Sequence, residues 1–399
     1  METQVKPLKT QQVSAWTPEA ALPAVIIFAM QSAPIIASPQ ALRALAQDLA
    51  QEPAFALDTE SNSLHAYHER VCLMQISTAS RDYLVDPLAL PNLEPLAPLF
   101  ADAKIQKVLH AGDYDIACLK RDFGFSFANL FDTMLAAQTL GETNLGLAAL
   151  LEKTFGLKLE KKFQRANWGQ RPLPHEMLVY AQNDSHYLLP LREALQPRLE
   201  ASGMFTTFIE DCAALADTPP AQNGHEPQIQ QVRGAQALKP NQLGLLRELQ
   251  LMREALASKH DKPPFKILGD HALVELAINQ PRYAQELQLL SSLTPGLIRR
   301  FGRQILHTIE AWRANPYTLK LPRPQRMNEA LHLRRERLSE WRKKVGRDEG
   351  QPSNVVLPKD LLDLIAATPL SSLADLEERM AASPSRYQRY GSEIYQLLI

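Results

Sequence analysis

The last 160 or so residues contain one pattern written twice, and this repeat restricts the chain more than any other feature. Met252-Arg253 matches Trp341-Arg342, Pro263 matches Pro352, and Ile267-Leu268 matches Val356-Leu357. Leu273 and Ala277 match Leu362 and Ala366, and Arg300-Phe301-Gly302 matches Arg389-Tyr390-Gly391. Every pair is 89 residues apart, with no gap. Chance agreement at one offset over such a length is negligible. The pattern predicts two copies of one all-helical module, 239–314 and 326–399, joined by the Pro-rich segment 315–325. Two copies are too few for a solenoid, so the unit is a tandem module.

The remainder reads differently. Residues 34–215 mix short apolar runs with helical patterns, and 216–238 is poor in large apolar groups and rich in Pro and Gln, so it reads as a linker. Residues 1–33 read as a loose extension. Its longest apolar run, Ala24–Met30, is too short to span a bilayer, and no small-residue cleavage site follows. No membrane association is expected. The three cysteines, Cys72, Cys118 and Cys212, are widely separated, which excludes a disulfide framework or a zinc site and suits a reducing cytoplasm. A net charge of −1 excludes a uniformly basic coat but not a local basic face. Residues 319–347 hold ten Lys or Arg against three Glu, which suggests a strip facing nucleic acid. Arg299, Arg300 and Arg303 form a smaller cluster.

Within 34–215 the expected order is three close strands, 55–58, 71–77 and 83–85, forming an antiparallel meander. A helix near 93–100, a strand at 107–110, a helix at 113–122 stopped by Gly124 and a short strand at 129–131 follow. A long helical pattern from Pro174 to Glu200 should be split by Pro190. A meander followed by βα units on one mixed sheet is the ribonuclease H-like plan.

Asp58 and Glu60, two apart near a strand end, share a face. Asp115 opens a helix, and Tyr180 and Asp184 lie one turn apart on another. Taken singly, each has an ordinary explanation. Taken together, four carboxylates converging on one sheet edge repel unless cations offset them. Hard divalent ions such as Mg²⁺ or Mn²⁺ prefer such oxygen ligands.

The ordered set A-L-D-T-E at 56–60, L-H-A-G-D-Y-D at 109–115 and Y-A-Q-N-D-S-H-Y-L-L-P-L at 180–191 resembles the DEDDy 3′→5′ exonucleases. The connecting C-L-M-Q-I-S at 72–77, N-L-F-D-T at 129–133 and W-G-Q-R-P-L at 168–173 resemble bacterial ribonuclease D. The tandem module is similar to two HRDC domains. The exonuclease subunit of the eukaryotic exosome shares several motifs but has one such domain, so the two copies favour the bacterial family. The resemblance implies an α/β ribonuclease H-like exonuclease domain followed by two small all-α HRDC domains. It implies that Asp58, Glu60, Asp115 and Asp184 hold two divalent ions and that Tyr180 orients the attacking water. It further implies hydrolysis of RNA 3′ ends to nucleoside 5′-monophosphates in the cytoplasm, with tRNA precursors and other structured RNA as substrates. The residues do not give the oligomeric state, and a monomer is favoured. The same acids would serve a 3′→5′ DNA exonuclease of proofreading or Werner type. A non-catalytic RNA-binding adaptor is the contrasting class, disfavoured by the intact acids.

One departure follows Glu60. The family usually has an aromatic there, whereas Ser61-Asn62-Ser63-Leu64-His65 stands here, on the expected path of the terminal nucleotide. Gln75 is expected at the sheet edge near substrate. Lys158, Lys161, Lys162, Arg165 and Arg171, interleaved with Phe163 and Trp168, are expected to meet phosphates and bases. His110 reads as a hydrogen-bonded histidine at a strand end, and Asp132 as a helix cap.

Overall fold

The structure, a computed structural model, describes residues 33–222, 227–321 and 328–399. Most of the expected extension therefore lies outside the described residues, as does 322–327 around the second linker. Six strands form one mixed sheet: β1 (Ile35–Ile36), β2 (Ala54–Ser61), β3 (Val71–Ser77), β4 (Asp82–Val85), β5 (Gln106–Leu109) and β6 (Leu130–Asp132). Their order is β1-β4-β3-β2-β5-β6. The β2–β3–β4 meander is antiparallel, while β1, β5 and β6 add in parallel. Strand β3 is buried along its whole length, as expected of an interior strand covered on both faces.

Eight helices surround the sheet: α1 (Pro39–Leu49), α2 (Ala97–Ala101), α3 (Asp113–Phe123), α4 (Thr133–Thr139), α5 (Leu147–Phe155), α6 (His175–His186), α7 (Leu188–Ala201) and α8 (Phe205–Ala216). The long helical pattern breaks at Tyr187, between α6 and α7. Pro190 then falls in the first turn of α7, where no backbone N–H is needed. Gly124 ends α3 in the left-handed region at φ 68°. Asp132 caps α4, accepting from Met134 N and Leu135 N at 2.8 and 2.9 Å.

The repeat is visible as structure. The first module comprises α9 (Pro240–His260), α10 (Pro264–Ile267), α11 (Asp270–Asn279), α12 (Ala284–Leu287) and α13 (Pro295–Ala314). The second comprises α14 (Glu329–Glu349), α15 (Ser353–Val356), α16 (Lys359–Ala366), α17 (Leu373–Arg379) and α18 (Pro384–Leu398). Each helix of the second begins 89 residues after its counterpart. Paired arginines do the same work: Arg253 donates to Leu268 O at 3.4 Å and Arg342 to Leu357 O at 2.8 Å.

The linker reading of 216–238 needs correction. Ile229, Val232, Ala235 and Leu238 are buried in the core of the first module. Upstream, Ala221 N donates to Ala117 O at 2.9 Å, and the Lys120 amine binds Ala216 O and Thr218 O. Low apolar content concealed four well-spaced anchors.

The modules are also docked rather than tethered. Arg386 on α18 is 1% exposed; it pairs with both oxygens of Asp211 on α8 at 2.7 and 2.8 Å and donates to Val355 O. Ser385 binds the Glu210 carboxylate through N and Oγ. On the first module, Asp261 accepts from Tyr67 N and His68 N, at 2.9 and 3.1 Å, in the β2–β3 loop. Arg386→Ala should therefore cost about 3 kcal/mol, because it leaves Asp211 and Val355 O without their buried partner. Urea denaturation should show the loss, and Asp211→Ala in the same chain should recover part of it. An unchanged midpoint in Arg386→Ala would mean the docking contributes nothing.

Candidate active site

Asp58 and Glu60 project from the end of β2, where the register with β3 shifts between Glu60 and Ser61. Asp115 lies in the first turn of α3. The turn into that helix is tight. Ala111 takes a left-handed φ of 57°, and a Cβ on Gly112 would come within 2.5 Å of Leu109. Gly112 N is held by Asp132 Oδ2 at 2.8 Å, so the α3 and α4 starts share one carboxylate. The Thr59 hydroxyl donates to Asp115 Oδ1 and links β2 to α3.

Helix α6 carries Tyr180 and Asp184 on one face, and other residues of the same motif bind the sheet. Ser185 Oγ and Ser77 Oγ lie 2.7 Å apart. Asp82 Oδ2 accepts from Gln182 at 2.6 Å and contacts His186 Nδ1 at 2.9 Å. These buried polar contacts fix the rotation of α6 and so aim Asp184 at β2. The Tyr180 ring is fixed by Phe163 and Trp168, with centroids at 5.7 and 6.2 Å.

All five side chains are half-buried, recessed without being sealed. Burial first, then Asp115, Asp184 and Glu60, push the Asp58 carboxyl well above the usual range. Burial with Asp184 and Asp115 raises Glu60 to about 9. Burial and Asp115 raise Asp184 to about 7, while burial takes Asp115 to about 6 against the opposing hydrogen bond from Thr59. The Tyr180 hydroxyl is pushed up by burial, Asp184, Glu60 and Asp58, so it keeps its proton at neutral pH. The four carboxylates thus sense one another, although among the described residues no three His, Cys, Asp or Glu are closed to metal-ligand distance. A set of hard oxygen donors that repel one another fits a divalent cation, which would draw them together.

Two cavities flank this cluster. One, of about 180 Å³, is bounded by Glu60, Ser61, Ser63, Leu64, Tyr114 and Gln164. The second, of about 450 Å³, runs past Tyr180 and Asp184 beside Lys158, Lys162 and Phe163. The Ser61–His65 stretch therefore does border space next to the acids. It is braced by Glu69, which accepts from Ser61 Oγ at 2.9 Å, from the Tyr114 hydroxyl, and from Arg121 at 3.1 Å. His65 Nε2 lies 3.0 Å from Arg165 O, and Lys266 Nζ lies 3.3 Å from its Nδ1. Lysine can only donate, so the ring proton sits on Nε2 and is given to Arg165 O. Thr59, Glu69, Tyr114 and Gln164 escaped sequence reasoning. Thr59, inside A-L-D-T-E, and Tyr114, inside L-H-A-G-D-Y-D, carried a signal; Glu69 and Gln164 carried none.

Three expected nucleic-acid contacts are corrected. Gln75 is fully buried on an interior strand, opposite Asp58 in register, and both its amide atoms lack partners. It faces the carboxylate side of the sheet instead of RNA. Arg171 spends all five N–H groups inside the protein, on Asp86, Cys72 O, Trp168 O and Gln170 O. Trp168 is 1% exposed and packs on Tyr180, so no base can stack on its face. Lys161, Lys162 and Arg165 are exposed, with Lys162 paired to Glu176 at 2.8 Å. His110 is hydrogen-bonded to Thr133 Oγ1 at 2.9 Å, as expected. The basic strip is largely spent as well. Arg334, Arg337 and Arg342 bind carbonyls of their own module, and Arg335 and Lys343 pair with Asp363 and Glu340.

A family model described as 3′-5′ exonuclease matches residues 34–200, and the HRDC domain model matches 242–309 and 333–398. The class is therefore an exonuclease domain carrying two HRDC domains. Ribonuclease D of Acidiphilium cryptum is 31% identical over 303 residues, covering 74% of this chain and 76% of that protein. Escherichia coli RNase D has a TM-score of 0.67 at 24% identity, over 92% of this chain and 99% of that one, a likeness of fold. Protein RRP6-like 3 of Arabidopsis thaliana is 34% identical over 62% of this chain. The match spans 30% of that plant protein's length. This chain belongs to the ribonuclease D family.

The raised carboxylates have a consequence for stability. Each binds its proton more tightly folded than unfolded. The stability they contribute is present below the unfolded value near 4 and is lost as pH rises through about 6, 7 and 9. Metal-free protein should weaken across this window, and added Mg²⁺ or Mn²⁺ should restore it increasingly as pH rises. Thermal melts with cation or chelator across the window would show this, and an increment independent of pH would refute it.

Proposed function

We propose that this chain is a divalent-metal-dependent 3′→5′ exoribonuclease that releases nucleoside 5′-monophosphates. The observation that carries the reading is the recess itself. Burial raises the pKa of all four carboxylates, Asp115 and Asp184 add to it at Asp58 and Glu60, and a protonated tyrosine stands one turn from the last. Asp58, Glu60, Asp115 and Asp184 would hold two ions, Mg²⁺ or Mn²⁺. When bound, the ions supply the positive charge that offsets the four acids and the phosphodiester under attack. Tyr180, its ring clamped by Phe163 and Trp168, holds the attacking water by its hydroxyl. Gln75 stands opposite Asp58 in register, on the same side of the sheet, with its amide unpartnered. The Ser61–Leu64 wall borders the space for the terminal nucleotide, and Lys158, Lys161, Lys162 and Arg165 face the departing phosphates.

Backbone contact beyond the recess falls to the first module. A cavity of about 450 Å³ there is walled by His260, Lys262, Lys266 and Arg300, with no acid among its lining residues. Such a site suits phosphate. Lys266 also touches His65 in the nuclease loop, which makes the path continuous. Escherichia coli RNase D is described as an exoribonuclease involved in structured RNA processing. Membership of the ribonuclease D family supports RNA as the substrate here, and tRNA precursors with a free 3′ end are the proposed class. Among the described residues no helix is long and apolar enough to cross a membrane. Three buried free thiols suit the cytoplasm.

Matched RNA and DNA single strands, digested with Mg²⁺ or Mn²⁺ and resolved by size, test the reading. Stepwise shortening of RNA from its 3′ end is expected. Asp58→Asn should keep the fold and abolish turnover. Tyr180→Phe should lower the rate by ~10²-fold with Mn²⁺ affinity nearly unchanged. Hydrolysis at full rate in chelator would end the metal-dependent reading.

The docked loop adds an expectation of its own. Asp261→Ala frees Tyr67 N and His68 N, loosening the loop that borders the small cavity. KM for RNA should rise severalfold, with the metal response intact. Asp261→Asn, whose carboxamide oxygen still accepts both bonds, should rescue most of it. Equal KM in all three proteins would show that the first module does not position the loop.

A further inference from the structure

A fourth cavity lies inside the first module, of about 270 Å³, where Gln250, Arg253, Glu254, Phe265 and Asp270 meet. Its chemistry is unlike a packing defect. Gln250, Arg253 and Glu254 are 4%, 7% and 8% exposed, yet Gln250 Oε1, Arg253 Nε and Glu254 Oε2 have no hydrogen-bond partner. Arg342 Nε in the second module is orphaned in the same way, so the Arg253 Nε belongs to the shared fold; buried polar atoms are otherwise satisfied, and the two orphaned acceptors around one cavity indicate something that completes them. Phe265 stands at the same cavity with 56% of its surface exposed, available for stacking.

The second module supplies an internal control. The fold needs the arginine, since Arg253 and Arg342 make the same bond to the carbonyl 15 residues on. It does not need the rest. At the positions equivalent to Gln250, Glu254, Phe265 and Asp270 the second copy has Ser339, Lys343, Asn354 and Lys359. The same helices form without the polar cavity lining, so those groups are not there for folding.

The unmet groups particular to this module are two acceptors, Gln250 Oε1 and Glu254 Oε2. Their complement is an edge with two adjacent donor groups. Guanine has that edge, with N1–H and the N2 amine beside O6. Uracil presents one donor, and adenine and cytosine present one amine beside acceptors. The aromatic face of Phe265 suits any base. The volume, at the low end for ligand sites, suits a single base. Position agrees: Tyr67, from the nuclease loop, packs against the first module close to Glu254, and Lys266, next to Phe265, lines the basic cavity. A strand leaving the recess would pass both. We propose that this cavity is a guanine-recognition pocket, reading an unpaired guanine upstream of the 3′ end in RNA bound for degradation. The choice of RNA as the source rests on the exoribonuclease reading.

The test uses the full chain carrying Asp58→Asn, so that bound RNA survives. Oligoadenylates with a single guanosine at successive distances from the 3′ end are titrated by fluorescence anisotropy, and guanosine alone is titrated separately. One spacing should bind about tenfold more tightly than oligoadenylate. Phe265→Asn, which installs the second copy's residue at an exposed site, and the isosteric Glu254→Gln should each erase that advantage. Tight binding of guanosine alone, lost in the same variants, would keep the guanine pocket but assign it to a free nucleoside. No advantage at any spacing together with no binding of guanosine would overturn the proposal and leave the cavity to water. Hydrolysis of short oligoadenylate by the chain with Asp58 intact is measured in parallel. Its absence would sink the exoribonuclease reading without touching the binding result.

Discussion

Like charges do not gather unless something else holds them in place. The carboxyls of Asp58, Glu60, Asp115 and Asp184 are all raised, by burial first and at Asp58, Glu60 and Asp184 by neighbouring acids, because the scaffold fixes their positions independently of their own preference. The restraint comes from neutral and buried polar bonds one step behind the acids. Thr59 grips Asp115, Asp132 ties Gly112 to the start of α4, and Ser185, Gln182 and His186 bolt α6 to β3 and β4. The strain in the recess is electrostatic, so a divalent cation relieves it without rearranging the fold. Cation binding is then coupled to the proton affinity of the whole cluster rather than to any single ligand.

The helical modules are part of the same construction. Arg386 enters the nuclease domain as a buried cation, and Asp261 closes the backbone of the β2–β3 loop. The two contacts sit on opposite modules and reach different elements, α8 and the loop after β2. A chain cut after the nuclease domain loses the partner of Asp211 and the restraint on a wall of the small cavity. Tandem duplication produced two copies of one fold, and divergence then gave them different tasks. The first braces the loop and carries basic and polar cavities, while the second spends most of its arginines on its own carbonyls.

Long-range periodicity and short polar motifs were legible in the sequence because both are local. The 89-residue offset survives in every helix start, since each helix is set by nearby caps, prolines and apolar spacing. The strand order and the split near Pro190 follow from patterns a few residues long. Asp58 with Glu60, Asp115, and Tyr180 with Asp184 could be singled out because they stand in an ordered set of short motifs that resembles the DEDDy exonucleases, while spacing alone leaves each an ordinary explanation. What could not be read was which neighbours their backbones would meet. Arg171 and Trp168 look like RNA contacts in a basic, aromatic stretch, but Asp86, 85 residues away, claims the one and the Tyr180 ring the other. Gln75 looks like an edge residue until β1 and β4 close over its far side.

The sequence by itself therefore determined the elements, the duplication and the chemical type of each site residue, because those depend on contacts within a turn or a strand. Tertiary structure alone decided which charges are free. An arginine is a phosphate ligand only when its five donors are not already spent, and that count depends on carbonyls and acids far away in the chain. The same holds for the orphaned groups around Gln250, Arg253 and Glu254, since a buried polar atom is recognisable as unsatisfied only once everything around it has been placed.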